Sequence, residues 1–352
     1  MKGVVLAGGK GSRLRPFTYS GAKQLVPIAN TPVLHFPIRQ LVEAGITEIA
    51  IIVGDAEGQI REAMGDGRAF GARLTYIRQA EPLGIAHAVA VAQDFVGSDR
   101  FVVYLGDNVL HGGIGEFVRA FAEGGATASI VLREVEDPRA FGVAEMAQER
   151  LVRVLEKPED PPTNLAVIGV YAFTPAVFEV IREQSPSARG ELEIADSING
   201  LLARGLEVQT MVTREYWIDT GKMEDMLQAN RVVLASLHAE VHPSARVLGS
   251  TLDDPVVVGE GAVVERCELI GPVIVGARAR VRDCRLGPDV AVGEGCDLSR
   301  VNVSNSIIMS DTTMRDCPGV LDSMIGRFAR VSGAPAGSKL TLGDHSCLEV
   351  GP

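Results

Sequence analysis

The sequence predicts an α/β domain with a mostly parallel sheet, followed by a second domain that is a parallel β-helix of hexapeptide repeats. Three observations lead to this fold class. The chain has 352 residues, which is enough for two domains with a sizeable core. Short β-branched runs alternate with helical patterns up to about residue 238. Beyond that point one six-residue template recurs, as it does in stacked coils.

The first domain, residues 1–238, is predicted from the regular alternation of strand-like and helix-like segments. Its strand-like runs are GVVLA (3–7), EIAIIVG (48–54), RLTYI (73–77), RFVVYLGD (100–107) and TASIVL (127–132). Segment 32–45, PVLHFPIRQLVEAG, is helix-like, because its apolar residues recur at helical spacing until Gly45 ends it. Residues 222–238 are typical of one more helix, which we expect to connect the domains. Strands that alternate with helices favour a largely parallel sheet.

The second domain, residues 239–352, is predicted from a template with two aliphatic residues six positions apart and a small or apolar residue between them. Its matches are VGEGAVV (258–264), VGARARV (275–281), LGPDVAV (286–292), VGEGCDL (292–298) and IGRFARV (325–331), and VHPSARV (241–247) fits without the glycine. We expect the aliphatic residues to fill the coil interior, among them Val258, Val264, Val275, Val281, Val292 and Leu298. Open strand edges at the ends of a coil stack pair readily with another chain, so we expect a homo-oligomer.

Composition and charge exclude some classes of function. The chain has 34 basic and 45 acidic residues and a net charge of −11, which disfavours nucleic acid because duplex binding needs a basic face. The apolar run after Met1 and Lys2 is too short for a secretion signal, and no apolar stretch approaches the roughly 18 residues of a membrane span. The five cysteines form no C-x-x-C pair and fit small buried hydrophobes. We therefore expect a cytoplasmic protein that binds no membrane.

The first functional signal is VVLAGGKGSRLRPFT, residues 4–18, where an apolar strand leads at once into glycines and cations. Glycine allows the backbone to approach a phosphate closely and to turn its N–H groups toward the anion. The cations of this stretch are Lys10, Arg13 and Arg15. Bare backbone and positive charge in one place indicate a phosphate-binding loop, because a few local cations suffice for a small anion even in an acidic protein.

Further motifs in a fixed order give a resemblance to a known family. They are LAGGKGSRLRPFT (6–18) followed by Lys23, QAEPLGIAHA (79–88), YLGDN (104–108), FGV (141–143), EKP (156–158), RGELEIAD (189–196) and WIDTG (217–221). Together they resemble the sugar-1-phosphate nucleotidyltransferases, and most closely the long-form glucose-1-phosphate thymidylyltransferases. The resemblance implies a Rossmann-like nucleotidyltransferase domain and a left-handed β-helix, whereas periodicity alone leaves the hand open. The glycine loop reads Gly11-Ser12-Arg13 where the family usually has threonine, a change that keeps the hydroxyl.

The reaction that the resemblance implies is transfer of a nucleotidyl group from dTTP to glucose 1-phosphate, giving dTDP-glucose and pyrophosphate, with Mg²⁺ as cofactor. An oxygen of the sugar phosphate attacks the α-phosphorus directly, in line with the leaving pyrophosphate. A phosphate monoester has a second pKa of about 6, so the nucleophile is already an anion at neutral pH and needs no general base. The physical difficulty is to bring two polyanions together and to stabilise the leaving group.

The resemblance also implies the residues of the site. Catalytic roles fall to Arg13, Lys23 and Asp107, and Mg²⁺ ligation falls to Asp107 and Asp219. The nucleotide-binding residues are Leu6, Gly8, Gly9, Gly11, Ser12, Arg13, Lys23, Gln24, Gln79, Gly84 and Asp107. The residues that bind the sugar phosphate are Gly142, Glu156, Lys157, Val167 and Tyr171.

The residue types suit these roles. Mg²⁺ prefers oxygen ligands, and Asp107 follows an apolar strand whose carboxyl end is where open α/β sheets bind ligands. The Gln79 amide is able to donate to and accept from a base edge, and the Glu156 carboxylate suits sugar hydroxyls. His87 lies in an apolar segment, where we expect a packed histidine rather than a catalyst. Glu191 and Glu193 are expected to organise the pocket floor or to begin a helix.

Three alternatives remain open at this point. Thymine and uracil differ by one methyl group, worth about 1–3 kcal/mol of discrimination, so UTP is a rival substrate. Hexapeptide acyltransferases resemble the tail, but they usually need a histidine base, and His345 is the only histidine after residue 243. Consumption of acetyl-coenzyme A would identify such a bifunctional enzyme. A catalytically silent sensor of nucleotide sugars would be expected to lack Lys23, Asp107 or Asp219, and all three are present.

Overall fold

Residues 1–351 of the chain are described by a computed structural model. In chain order the strands are β1 (Lys2–Ala7), β2 (Pro27–Ile28), β3 (Thr31–Pro32), β4 (Glu48–Val53), β5 (Arg73–Arg78), β6 (Phe101–Leu105), β7 (Asn108–Leu110), β8 (Ala128–Glu134), β9 (Gly142–Ala147), β10 (Arg150–Glu156), β11 (Leu165–Phe173), β12 (Val208–Val212), β13 (Trp217–Asp219), β14 (Glu240–Val241), β15 (Arg246–Leu248), β16 (Thr251–Asp253), β17 (Val256–Val258), β18 (Val263–Glu265), β19 (Glu268–Ile270), β20 (Val273–Val275), β21 (Arg280–Arg282), β22 (Arg285–Leu286), β23 (Val290–Val292), β24 (Asp297–Ile308), β25 (Thr313–Ile325), β26 (Arg330–Ser332), β27 (Thr341–Leu342) and β28 (Cys347–Glu349). The α-helices are α1 (His35–Glu43), α2 (Glu57–Met64), α3 (Ile85–Ala90), α4 (Gln93–Val96), α5 (Gly115–Glu123), α6 (Ala176–Glu183), α7 (Ile194–Ala203) and α8 (Met223–Ala235).

The chain divides into two compact units. The first comprises Met1–Lys10 and Leu34–Ile218, and the second comprises Gly11–Val33 and the chain from Asp219 onward. The predicted domains, residues 1–238 and 239–352, do not coincide with these units, because Gly11–Val33 and α8 belong with the repeats. The boundary near residue 238 stays a prediction.

The first unit is built around a nine-stranded sheet. β5, β4, β1 and β6 are neighbours and run parallel, and β12 runs parallel to β8. β11 runs antiparallel to β6 and β8, and the β9–β10 hairpin extends the sheet beyond β11. The α/β class is confirmed, and the five predicted strands are all present, although β9, β10 and β11 make the sheet mixed.

The central strands of this sheet are apolar because both faces are covered. Most residues of β1, β4 and β6 are buried, as expected for parallel strands between layers of helices. One face packs against α3, α6 and α7, where Phe101 and Phe178 stack with ring centroids 5.4 Å apart. The carboxyl ends of β1, β4, β5 and β6 therefore sit on a rigid base at one edge of the sheet.

The second unit contains the predicted parallel β-helix. Neighbouring strands pair in parallel along the stack, and partner positions such as Val263, Arg280 and Asp297 are 17 residues apart. The six predicted interior aliphatic residues, Val258, Val264, Val275, Val281, Val292 and Leu298, are all buried. The repeat architecture is confirmed, and the left hand stays a prediction.

The cysteines are unpaired within residues 1–351. Four of them, Cys267, Cys284, Cys296 and Cys317, are buried, as predicted for small hydrophobes, whereas Cys347 is exposed. No helix in this part of the chain combines the length and the apolar composition needed to cross a bilayer.

Candidate active site

The glycine loop begins in the first unit, at the carboxyl end of β1. Leu6 lies in register between Ile52 of β4 and Leu105 of β6 and is half-buried. Gly8 follows directly, and a Cβ atom on it would lie 3.1 Å from Oε1 of Gln79. Gly9 is exposed. Glycine at position 8 therefore allows the end of β1 to run close beside the Gln79 side chain.

Asp107 lies at the carboxyl end of β6, and its neighbour Asn108 fixes the orientation of its carboxylate. The Asn108 amide nitrogen donates to Oδ1 of Asp107 at 2.9 Å, and Oδ1 of Asn108 accepts from the Trp217 indole nitrogen at 2.7 Å. Asn108 is only 2% exposed. A Cβ atom on Gly169 would lie 2.9 Å from Oδ1 of Asn108, so glycine leaves the room that this network needs.

In the second unit Arg13, Lys23 and Asp219 form a charged group. The Lys23 ammonium lies 3.7 Å from Oδ1 of Asp219, and an Arg13 guanidinium nitrogen lies 3.8 Å from Oδ2. Lys23 is 6% exposed, whereas Arg13 is exposed. A buried ammonium is costly to desolvate unless negative charge compensates it, so this position suits a lysine that meets phosphate as well as carboxylate.

Two glycines make room for this charged group. A Cβ atom on Gly11 would lie 2.7 Å from Cβ of Lys23, and one on Gly221 would lie 2.9 Å from an Arg13 guanidinium nitrogen. Gly11 also has φ 61° and ψ 32°, a left-handed conformation that L side chains avoid. Its carbonyl accepts a hydrogen bond from the Thr18 hydroxyl at 2.8 Å.

The hexapeptide repeats hold the segment that carries Lys23. Arg327 donates to the Leu25 carbonyl at 3.1 Å, Asn30 donates to the Val292 carbonyl at 2.8 Å, and Ser20 donates to Asp344 at 2.8 Å. Gln24 is 2% exposed beside Lys23, and Ser12 is exposed. The segment Gly11–Val33 is thus ordered by residues that follow it by more than 250 positions.

The residues predicted to read the base lie together in the first unit. Nε2 of Gln79 donates to the Gly84 carbonyl at 3.3 Å, and Nδ1 of His87 lies 3.0 Å from the same nitrogen. Gly84 has φ 104°, and a Cβ atom on it would lie 2.5 Å from the Leu192 carbonyl oxygen. Only glycine fits this position without displacing the chain around Leu192.

The five residues predicted to bind the sugar phosphate also lie in the first unit. The structure brings four of them together, namely Gly142, Glu156, Lys157 and Val167. Gly142 pairs with Glu156 across the β9–β10 hairpin, and a Cβ atom on Gly142 would lie 3.5 Å from a Glu156 carboxylate oxygen and 3.7 Å from Val167. The Lys157 ammonium lies 3.5 Å from the Glu156 carboxylate. Tyr171 is buried, and burial together with the nearby Glu156 charge raises the pKa of its phenol.

Arg189 joins this group, although its sequence motif alone predicts no role for it. Its guanidinium lies 3.1 Å from Glu156 and 2.8 Å from both carboxylate oxygens of Glu193, which is 5% exposed. Burial raises the pKa of Glu156, and the Glu193 charge adds to this, whereas Lys157 and Arg189 lower it. The RGELEIAD motif contains Arg189, but only the fold shows that it reaches Glu156.

The residues predicted to bind Mg²⁺ provide suitable donors. Asp107 and Asp219 both offer carboxylate oxygens, the ligands that Mg²⁺ prefers. Within residues 1–351 no three His, Cys, Asp or Glu side chains cluster as a complete metal site. Mg²⁺ commonly uses one or two carboxylates and completes its shell with water and substrate phosphate, so the donor chemistry fits this ion.

Comparisons with known proteins identify the family. Residues 2–236 match the Nucleotidyl transferase family. A glucose-1-phosphate thymidylyltransferase of Streptomyces antibioticus is 44% identical, with 99% of both chains covered. A low-salt glycan biosynthesis nucleotidyltransferase of Haloferax volcanii is 45% identical, covering 99% of this chain and all of the relative. A Bacillus anthracis crystal structure described as a glucose-1-phosphate thymidylyltransferase in complex with sucrose has a TM-score of 0.64 at 38% identity, over 68% of this chain and 97% of its own.

Proposed function

This chain belongs to the nucleotidyl transferase family, and we propose that it transfers a thymidylyl group from dTTP to glucose 1-phosphate, giving dTDP-glucose and pyrophosphate. The observation that carries the reaction class is the buried Lys23 beside Arg13 and Asp219 on a glycine-rich loop. The choice of nucleotide and sugar is supported by the thymidylyltransferase of Streptomyces antibioticus, which is similar over nearly the whole length of both chains.

The reaction exchanges one phosphoanhydride bond for another. An oxygen of the glucose 1-phosphate dianion forms a bond to the α-phosphorus of dTTP, and the bond from that phosphorus to the β-phosphate oxygen breaks. Pyrophosphate leaves with the electron pair. Because the nucleophile is already ionised, the protein's task is to position two anions and to stabilise the charge that develops on the leaving group.

Arg13 and Lys23 supply the positive charge for this task in our proposal. The planar Arg13 guanidinium offers two parallel N–H donors to pyrophosphate oxygens, which an ammonium does not. Lys23 places a point charge where burial limits screening by solvent. Backbone N–H groups of Gly8, Gly9 and Gly11 complete the cradle for the triphosphate.

We propose that Asp107 and Asp219 hold Mg²⁺. When bound, this ion supplies charge compensation for the phosphates. The Asn108 amide orients the Asp107 carboxylate, and the Trp217 indole orients Asn108 in turn. Lys23 and Arg13 restrain the Asp219 carboxylate from one side.

For the sugar, we propose that Glu156 accepts hydrogen bonds from hydroxyl groups and that Lys157 meets the phosphate. Glu156 is held by charges on two sides, Lys157 and Arg189, which favour its ionised form against burial. Gly142 and Val167 lie beside the Glu156 carboxylate, and Tyr171 is close enough to feel its charge. We propose that these three residues define the space for the hexose ring.

We also propose that the protein is a cytoplasmic homo-oligomer. The four buried cysteine thiols suit a reducing compartment. At the first coil of the β-helix, Val241 is 46% and Leu248 is 45% exposed, which is unusual for aliphatic residues of a coil and favours a contact with a second chain.

An activity panel tests the proposed function. Four nucleoside triphosphates, dTTP, UTP, CTP and GTP, are combined with the 1-phosphates of glucose, galactose, mannose and N-acetylglucosamine, and pyrophosphate release is measured with and without a chelator. We expect dTTP with glucose 1-phosphate to give the highest kcat/KM, and chelation to stop turnover. A further arm with acetyl-coenzyme A tests the acyltransferase alternative. Absence of pyrophosphate release from every pair would overturn the proposal.

A further inference from the structure

We propose that His87 is a positioning residue that holds the Gln79 side-chain amide in one orientation, so that Gln79 offers the base only a hydrogen-bond acceptor. The inference rests on the proposed function in assuming that Gln79 meets the nucleotide base. His87, which its apolar segment predicts to be a packed histidine, is then a determinant of base specificity. Bases with an N–H at the reading edge are then selected over bases with a lone pair there.

The Gly84 carbonyl fixes which end of the Gln79 amide points toward it. One terminal atom of Gln79 lies 3.3 Å from the Gly84 oxygen, and a carbonyl oxygen only accepts hydrogen bonds. That terminal atom is therefore the NH₂ group. The Gly84 carbonyl is itself held in place, because Gly84 has φ 104° and its neighbour Leu83 accepts a hydrogen bond from the Leu192 N–H at 2.7 Å.

His87 uses the second hydrogen of the same NH₂ group. Nδ1 of His87 lies 3.0 Å from Nε2 of Gln79. Since Nε2 is a donor, Nδ1 accepts, and the imidazole is neutral with its proton on Nε2. Both amide hydrogens are then engaged within the protein, one by Gly84 and one by His87. Oε1 is the remaining polar atom of the Gln79 side chain, and within residues 1–351 the two hydrogen bonds of this side chain both use Nε2.

The free Oε1 atom faces the glycine loop. A Cβ atom on Gly8 would lie 3.1 Å from it, so Oε1 lies beside the loop that we propose to bind the triphosphate. Thymine and uracil carry N3–H and satisfy such an acceptor. Cytosine at N3 and adenine at N1 carry lone pairs. Such a lone pair would face Oε1 with no hydrogen-bond donor between them. The amide is unable to rotate and supply one, because both hydrogens of its nitrogen are engaged. A buried acceptor left unpaired weakens binding of the wrong base.

His87 reaches Gln79 because of where α3 begins. The helix starts after Gly84, so His87 lies about one turn beyond the Gly84 carbonyl, and its Nδ1 reaches Nε2 of Gln79. Gln79 directly follows β5, where its N–H donates to the Val53 carbonyl at 2.8 Å. Both acceptors thus lie at the start of α3, and the Gln79 backbone is held by β4, which leaves the amide one satisfied orientation.

The test compares two substitutions of His87 that differ in one property. His87→Leu removes the acceptor and keeps apolar volume, whereas His87→Asn retains an oxygen near the position of Nδ1. His242→Leu, at a half-buried histidine of the second unit, is the control for histidine loss as such. Steady-state kinetics with dTTP and dCTP give the ratio of kcat/KM values, and calorimetry measures binding of each triphosphate without turnover.

We expect His87→Leu to lower the preference for dTTP over dCTP by about tenfold, because the released amide is able to rotate and donate to cytosine N3. The loss should appear in the KM for dTTP, with kcat changed less than about threefold, since Gln79 touches no reacting atom. His87→Asn should restore most of the preference, and His242→Leu should leave it unchanged. A folded His87→Leu variant with the wild-type preference and wild-type KM would overturn the inference, as would an equal loss in His87→Asn.

Failure of this inference and failure of the proposed function give different results. If the wild-type protein binds dTTP more tightly than dCTP in calorimetry but transfers nothing, the proposed reaction is wrong and the His87 comparison still stands on the binding data. If the wild-type protein makes the nucleotide sugar and both His87 variants keep its base preference, the reaction stands and the role of His87 is wrong.

Discussion

Replacing Gly11 by alanine tests how the second unit positions the buried Lys23, which we propose to contact phosphate. Gly11 has φ 61° and ψ 32°, and a Cβ atom there would lie 2.7 Å from Cβ of Lys23 and 3.0 Å from Cγ2 of Thr18. The substitution therefore adds two separate costs, backbone strain and steric overlap. Gly261 provides a matched control, because it lies in the same unit at φ 64° and a Cβ atom on it would lie 3.9 Å from Cγ of Arg278.

The magnitudes separate the two costs. A left-handed conformation costs alanine about 1–2 kcal/mol, and Gly261→Ala should show this cost alone. Overlap with Lys23 adds about 1–3 kcal/mol for an overpacked site, so Gly11→Ala should lose about 2–5 kcal/mol. For a domain of this size, 1 kcal/mol lowers the thermal midpoint by about 2–4 °C. Lys23 moves to relieve the overlap, and a displacement of about 1 Å should lower kcat by about 10²-fold.

Thermal unfolding and steady-state turnover of both variants check this prediction. Gly261→Ala should be slightly less stable than the wild-type protein and fully active. Gly11→Ala should be less stable than Gly261→Ala and about a hundredfold less active while still folded at the assay temperature. Equal midpoints and equal turnover for the two variants would refute the reasoning, because the overlap with Lys23 would then carry no cost.

The remaining predictions concern charged residues of the proposed site and the β-helix. Asp107→Asn and Asp219→Asn should each abolish turnover and leave the circular dichroism spectrum unchanged, and near-normal rates at saturating Mg²⁺ would remove the residue from the metal site. Arg13→Lys should lower kcat by at least about tenfold, which corresponds to an activation free energy higher by about 1.4 kcal/mol. Unchanged kinetics would mean that the paired N–H donors of the guanidinium do not contact the leaving group. Burial raises the pKa of Glu156 above its ordinary 4.5, so protonation begins at a higher pH than for a free glutamate. The KM for glucose 1-phosphate should therefore rise as the pH falls through this raised value, and Glu156→Gln should show no such pH dependence. Truncation after residue 238 should reduce both the subunit number in light scattering and the activity, because the segment Gly11–Val33 loses the repeats that hold it.

Local patterns in the sequence predicted the elements of the fold well. The alternation of apolar runs located β1, β4, β5, β6 and β8, and the six-residue template located the buried aliphatic residues of the β-helix. These predictions are correct because each depends only on residues within one strand or one coil. The antiparallel β9, β10 and β11 were not predicted, since strand direction is set by tertiary pairing rather than by a local pattern.

Local sequence patterns could not predict the contacts between residues that are far apart in the chain. Arg327 holds the Leu25 carbonyl across 302 positions, and Trp217 holds Asn108 across 109. Nothing in either local sequence indicates its partner. Arg189 was visible only as part of a motif, because its contact with Glu156 depends on how the chain before α7 folds back. His87 was assigned to packing since its apolar neighbours are visible in the sequence and the Gln79 amide is not.

The most direct test of the central claim follows the phosphorus atoms of dTTP. Purified protein is incubated with Mg²⁺, glucose 1-phosphate and dTTP that is labelled with ³²P at either the α or the γ position, and the products are separated. Transfer of the thymidylyl group predicts that the α label appears in dTDP-glucose and the γ label appears in pyrophosphate, in equal amounts. Label from the γ position in the sugar product, or release of inorganic phosphate in place of pyrophosphate, would contradict the account.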